Sequence, residues 1–321
     1  MKKIYVILVV IVICELVYLC RSYFLSRNKE IAIDWRQAKA SIMKSIQQQG
    51  GSKAYERFKV EVKDRDIAYQ HFAAHLFGQA LYQKMGEKGI SVCNDNFLFG
   101  CYHGLFSDAI VSNGLGVVGK LEEVCTKKRG EVANCVHGMG HGIMEYVGHS
   151  KLNKALDTCS ETLSKGVLFE CYSGVFMEYY FPFFGSYQVP GFTEYEPCTQ
   201  IAGKYKKDCF FSLPQKWLIT TNRNYQYMGK LCDGLEDEEP EKSCFLGIGF
   251  YVPLESNNSF QKSTDICSKM PNENGVEKCL LGASWGSLYT APSLSQALCN
   301  VYNNKKATIN CGHEFTQFAN R

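Results

Sequence analysis

Beyond its first 25 residues the chain alternates short amphipathic stretches of helical period with polar or glycine-bearing turns. Lys120-Leu121-Glu122-Glu123-Val124-Cys125 and Leu152-Asn153-Lys154-Ala155-Leu156-Asp157-Thr158-Cys159 read as the ends of helices. Cys135-Val136-His137-Gly138 and Cys171-Tyr172-Ser173-Gly174 open new apolar segments. Turns such as Lys127-Lys128-Arg129-Gly130-Glu131 lie between them. Helical pattern also runs from Ile33 to Gln49, from Lys53 to Lys63 and, as one long helix, from Asp64 to Met85. Val/Ile-rich runs are short, so the pattern predicts an all-α protein without a strand-rich domain.

The N-terminus differs in kind. Met1-Lys2-Lys3 leads into Ile4–Cys20, seventeen residues that are apolar except for Glu15, and Tyr23, Phe24 and Leu25 extend the run. That is near the lower limit for crossing a bilayer, so it reads as a transmembrane signal-anchor. The competing reading is a cleaved signal peptide. Val17-Tyr18-Leu19-Cys20 is too bulky for the usual cleavage pattern, and equally for lipid attachment at Cys20. Charge leaves the orientation ambiguous, because Lys2 and Lys3 precede the run while Arg21, Arg27 and Lys29 follow it.

Cysteine spacing gives both architecture and compartment. Apart from Cys14 and Cys20 in the anchor, fourteen of the sixteen cysteines form seven consecutive pairs. Cys93 pairs with Cys101, Cys125 with Cys135, Cys159 with Cys171 and Cys198 with Cys209. Cys232 then pairs with Cys244, Cys267 with Cys279 and Cys299 with Cys311. Members of a pair are 8 to 12 residues apart, and the second members recur at 34, 36, 38, 35, 35 and 32 residues. Such a period is that of helix–turn–helix arrays, either an α-solenoid or an α/α ring. Each pair is expected to be a disulfide tying the end of one helix to the start of the next, contributing roughly 2–3 kcal/mol by loop closure. Zinc ligation by thiolates wants two to four intervening residues, far fewer than here. Disulfides in turn predict a repeat domain outside the cytoplasm, periplasmic or extracellular.

A second feature is in phase with the first. Three residues after the second cysteine stand Gly104, Gly138, Gly174, Gly247 and Gly282, with Ser212 in the fourth repeat and Glu314 in the last. Glycine one turn into a helix costs about 1 kcal/mol against alanine, so its recurrence implies close approach of neighbouring helices.

These patterns divide the chain into an anchor over 1–25, a juxtamembrane helical stalk or cap over 26–64 and a disulfide-stapled repeat domain over 65–321. Tyr69-Gln70-His71-Phe72-Ala73-Ala74-His75 aligns with Cys135-Val136-His137-Gly138-Met139-Gly140-His141, which makes the helix from Asp64 to Met85 a cysteine-less repeat. Phe181–Phe192 is the longest insertion, aromatic enough for a lid or partner-binding loop but read here as packed on the array. The acidic run Glu236–Glu241 reads as a solvated loop. A net charge of +3 without a basic run gives no reason to expect nucleic acid.

Candidate chemistry lies in the histidines. His71, His103 and His137 occupy equivalent repeat positions, as do His75 and His141, and His313 shares the first phase in the last repeat. Equivalent positions on successive repeats face one side, and residues four apart share a helix face. Five imidazoles are therefore expected in one patch across three helices, able to ligate a divalent transition metal such as zinc, copper or iron. Asp108, Glu145 and Glu178 are the carboxylates in phase, suited to ligate, orient imidazoles or act as general base on a metal-bound water. His149 falls in a turn and reads as incidental. The histidine motif lacks the glutamate of zincins, and no Cys-x-x-Cys-His haem attachment, nucleophile elbow or phosphate-binding glycine loop is present.

Gly100-Cys101-Tyr102-His103-Gly104, Cys135-Val136-His137-Gly138-Met139-Gly140-His141-Gly142 and Cys171-Tyr172-Ser173-Gly174-Val175-Phe176-Met177-Glu178 resemble the Cys-x-His-Gly and His-Gly-x-Gly-His motifs of a group of uncharacterised bacterial Cys-rich helical-repeat proteins. That resemblance covers about residues 69–180 and implies no particular activity. In period alone the chain is similar to Sel1-like and tetratricopeptide arrays, an architectural analogy. The expectation is a membrane-anchored, extracytoplasmic metal-binding protein, extending to a metal-dependent enzyme of the cell envelope. The alternative is a non-catalytic scaffold that docks an envelope protein or peptide on its repeat surface.

Overall fold

A computed structural model describes residues 35–65, 67–127, 132–181, 193–288, 290–303 and 310–320. The expected anchor, the start of the stalk, the turn at 128–131 and the aromatic insertion at 182–192 lie outside these residues. Among the described residues there are sixteen α-helices and no strand. None of the helices is long and apolar enough to cross a membrane.

Helices α1 (Trp35–Gln49) and α2 (Gly51–Val62) form an N-terminal pair, and α3 (Ile67–Met85) is the cysteine-less repeat helix. The cysteine-bearing repeats continue with α4 (Gly100–Asn113), α5 (Val118–Thr126), α6 (Val132–Val147), α7 (Leu152–Thr162) and α8 (Leu168–Tyr180). After the insertion come α9 (Lys206–Ser212), α10 (Pro214–Thr220), α11 (Tyr225–Asp233) and α12 (Glu238–Glu255). The chain ends with α13 (Phe260–Cys267), α14 (Glu273–Gly286), α15 (Pro292–Asn303) and α16 (Cys311–Ala319). Side-chain caps fix several starts: Asn224, Ser259, Asn272 and Asn310 each accept from backbone N–H groups of the following turn. The acidic run is not a loop throughout, because Glu238, Glu239 and Glu241 occupy the first turn of α12, where carboxylates complement the helix dipole.

Helices α3, α4, α6, α8, α9, α12 and α14 pack each against the next as one row, and the remaining helices pack along it. Six of the seven expected disulfides are formed. Cys93 is bonded to Cys101, Cys159 to Cys171, Cys198 to Cys209, Cys232 to Cys244, Cys267 to Cys279 and Cys299 to Cys311, with Cα separations of 5.4 to 6.0 Å. The seventh is corrected: Cys125 and Cys135 are both buried, one in the last turn of α5 and the other in the first turn of α6, but no S–S bond joins them.

The placement of the bridges also departs from a simple link between helix end and helix start. Cys93 follows the short 3-10 turn Gly86–Ser91, and Cys198 lies in a turn directly after Pro197, which has no N–H to continue a helix. Cys311 does open its helix, and Cys209 closes the first turn of α9. Cys244 and Cys279, by contrast, lie in the second turns of α12 and α14. Those two helices begin earlier than the cysteines suggest, because acidic residues at the N-terminus of α12 and the Asn272 cap of α14 carry the helical backbone back into the expected turn.

Glycines in the row bring backbones into contact. A methyl group on Gly104 would lie 1.8 Å from the His75 carbonyl oxygen, and one on Gly174 would lie 2.0 Å from that of His137. At Gly138 it would meet the His103 Cα at 3.0 Å. The same spacing recurs beyond the insertion, where Gly247 faces the Phe211 carbonyl and Gly282 that of Leu246, both at 2.1 Å. At Gly104, Gly174, Gly247 and Gly282 no side chain larger than hydrogen fits, and at Gly138 the facing backbone would have to give by a few tenths of an ångström.

In the C-terminal half the row curls. Phe315 and Phe318 of α16 pack on Phe169 of α8, with ring centroids 5.7 and 5.8 Å away, and on Trp285 of α14 at 5.3 and 5.4 Å. Phe318 also meets Phe211, and Phe315 meets Phe250. Lys207 at the start of α9 donates to the Phe318 carbonyl oxygen at 2.7 Å. The last helix thus fills the inside of the curl, and the repeat face that carries histidines in the N-terminal half carries aromatic rings here.

Candidate metal centre

Four helices deliver one polar seam. On α3, His71, His75, Gln79 and Gln83 follow at intervals of four residues, on α6 so do His137, His141 and Glu145, and on α4 His103 and Ser107. Residues four apart stack on one face of a helix, and the glycine crossings hold the three faces edge to edge. Glu178 completes the seam from α8.

All five imidazoles predicted from repeat phase are brought together. His71 Nε2 is 3.1 Å from His75 Nε2, which is 3.2 Å from His103 Nδ1. His137 Nε2 is 3.3 Å from His141 Nε2. Two groups result, His71/His75/His103 and His103/His137/His141, each with its ligand atoms within 4.8 Å of one another and each able to hold a metal ion. An ion bound tetrahedrally at 2.0–2.1 Å would place its nitrogens about 3.3–3.4 Å apart, close to what these rings already show.

Hydrogen bonds fix the tautomers that matter. His71 Nδ1 donates at 2.7 Å to the carbonyl oxygen of Phe97, which can only accept, so the lone pair is left on Nε2. His141 Nδ1 is 3.0 Å from Glu178 Oε2 and donates to it, again leaving Nε2 for an ion. The Phe97 carbonyl reaches His71 because Phe97, Leu98 and Phe99 all adopt left-handed backbone, with φ of 58°, 52° and 61°. Each such residue costs roughly 1–2 kcal/mol when it is not glycine. Gly100 then lets the start of α4 press on α3, since a methyl group there would lie 2.7 Å from the His71 carbonyl oxygen.

His75, His103 and His141 are 3 to 5% exposed, and His71 and His137 are partly buried. Burial holds all five below the usual imidazole range, and four of them are lowered further by neighbouring rings. For His71 the bond to Phe97 opposes this, and His141 falls to about 4. All five are therefore neutral at pH 7, the form that binds metal, and the His141–Glu178 contact is a hydrogen bond rather than an ion pair.

The three carboxylates expected to assist do different things. Glu178 orients His141. Glu145 accepts from the Ser107 hydroxyl, and its pKa is raised first by burial and then by Glu178 and Asp108. Asp108 accepts from Gln83 at 2.9 Å and lies 3.9 Å from Lys39 Nζ, while its buried Oδ2 has no hydrogen-bond partner among the described residues. Its pKa is raised by burial against the pull of Gln83 and Lys39. His313 stays outside the patch, exposed and paired with Gln317 at 2.9 Å. His149 also stays apart, stacked on Tyr179 with centroids 4.0 Å apart.

Sequence reading missed the Phe97–Phe99 turn and the role of its carbonyl. Only the flanking Asn94, Asn96 and Gly100 hint at left-handed backbone there. It also missed Ser107, which stands where His75 and His141 stand in their repeats. Comparison with known proteins adds no relative: no family model matches the chain, no curated protein matches it in sequence and no solved structure matches it in fold.

Proposed function

We propose that the protein binds a divalent transition metal, zinc, copper or iron, through His71, His75, His103, His137 and His141, and does so outside the cytoplasm at the end of a membrane anchor. One observation carries the reading. In both histidine groups a ring is locked by a hydrogen bond at Nδ1, to Phe97 or to Glu178, with Nε2 turned toward its neighbours' nitrogens. Buried neutral imidazoles packed in this way, with carboxylate and carbonyl behind them, are what metal sites use. Six formed disulfides support the extracytoplasmic placement, since such bridges persist in oxidising compartments. Metal-assisted hydrolysis of envelope material is the catalytic extension of this reading, with Glu145 the carboxylate available as a base.

Metal content of the full-length chain, purified in detergent and then offered zinc, copper(II) or iron(II), tests the proposal. At least one equivalent is expected to remain through gel filtration. The His137→Ala/His141→Ala double variant should lose at least half of it while keeping its helical circular dichroism. Metal retained unchanged by that variant, or none on the unmodified chain, removes the reading.

A further inference from the structure

The geometry points to two metal ions rather than one, with His103 shared between them. This rests on the metal-binding reading above and adds the number of ions and the bridging ligand. The two ligand groups have three histidines each and only His103 in common. Its ring is also central: the centroids of His71, His75, His137 and His141 lie 5.3, 5.0, 4.8 and 5.2 Å from it. The other four divide by helix into a pair on α3 and a pair on α6, one pair on either side.

The chemistry of an imidazole suits the arrangement. Its two nitrogens point their in-plane lone pairs in diverging directions, so one ring serves two ions without either crowding the other. His103 turns Nδ1 to the α3 pair, 3.2 Å from His75 Nε2, and Nε2 is the nitrogen left for a second ion. Serving both requires the imidazolate: the remaining ring proton leaves to solvent as the second ion binds, and no other bond is made or broken. Each ion then has three protein nitrogens and an open position, the ligand count of catalytic rather than structural zinc sites.

Support from behind is also divided in two. The α3 pair is oriented by the neutral Phe97 carbonyl and the α6 pair by the Glu178 carboxylate. A carboxylate behind a ligand raises its basicity more than a carbonyl does, so the α6 side fills first.

Stoichiometry and magnetism test the proposal on the full-length chain in detergent, titrated with copper(II). The unmodified chain is expected to hold two equivalents, and its copper resonance should fall by more than half as the second binds, because an imidazolate couples the two spins. His71→Gln and His137→Gln should each hold one equivalent with an ordinary uncoupled signal, the glutamine keeping a polar side chain in the seam as a guard against misfolding. One equivalent on the unmodified chain, lost in both variants, overturns the shared pair and leaves single-ion binding standing. Two equivalents with full, uncoupled signal that His103→Gln leaves undiminished overturn the bridge. No copper, and equally no zinc, on the unmodified chain removes the metal reading itself and the pair with it.

Discussion

His141 combines the opposing demands on a buried polar ring. It is almost fully enclosed, neutral at pH 7 and hydrogen-bonded to Glu178 at 3.0 Å. Its folded pKa of about 4 lies below the ordinary value of 6.5, so between those values the unfolded chain binds more protons. The associated stability is full above pH 6.5 and is lost as pH falls toward 4. Asp108 and Glu145, whose folded pKa values are raised, act in the opposite sense over the acidic range. The clean measurement is therefore a difference. In metal-free protein the urea midpoint should fall more steeply from pH 7 to pH 4.5 in the unmodified chain than in His141→Gln. Parallel profiles would refute the assignment. Much of this was legible in the sequence, because repeat phase foretold that these five histidines would meet in one patch. The carbonyl of Phe97 was not, since a backbone atom aimed by three left-handed residues leaves no trace in side-chain pattern.

Several crossings along the row bring helices together at glycine. Gly174 sits against the His137 carbonyl, where a methyl group would be 2.0 Å away, whereas Gly119 in α5 faces open space. Gly174→Ala should lower stability by about 1–3 kcal/mol, the cost of forcing packed backbones apart, despite alanine's better propensity. Gly119→Ala should be neutral or raise stability by up to about 1 kcal/mol. Thermal unfolding of the two variants checks both, and equal effects would mean that the crossings are not close. Glycine phase was readable because a recurrent residue that weakens a helix needs a partner. The cysteine ladder was readable for the same periodic reason, and six of seven bridges follow it. Cys125 and Cys135, of ordinary spacing, are the one expected pair without an S–S bond among the described residues. Spacing does not fix where a helix begins, as Cys244 and Cys279 show by lying beyond the first turn of theirs.

At the scale of the molecule, one register face serves two ends. On α3, α4 and α6 it carries the imidazoles, and on α9, α12 and α14 it carries Phe211, Phe250 and Trp285, which receive Phe315 and Phe318. Phe318→Ala should destabilise the chain by about 3–5 kcal/mol and shift tryptophan emission to the red as water reaches Trp285. Unchanged emission and melting would show that α16 does not close the curl. Sequence pattern foretold an array but not its curvature, because contacts between Phe169 and residues some 150 positions later belong to no local period.

That division has a temporal side. Every residue of the histidine centre, from His71 to Glu178, is synthesised more than a hundred residues before Phe315 and Phe318, the plug of the aromatic socket. A nascent chain halted near residue 300 would thus carry every ring of the histidine seam while its aromatic socket stood open, exposed to misassembly until α16 arrived.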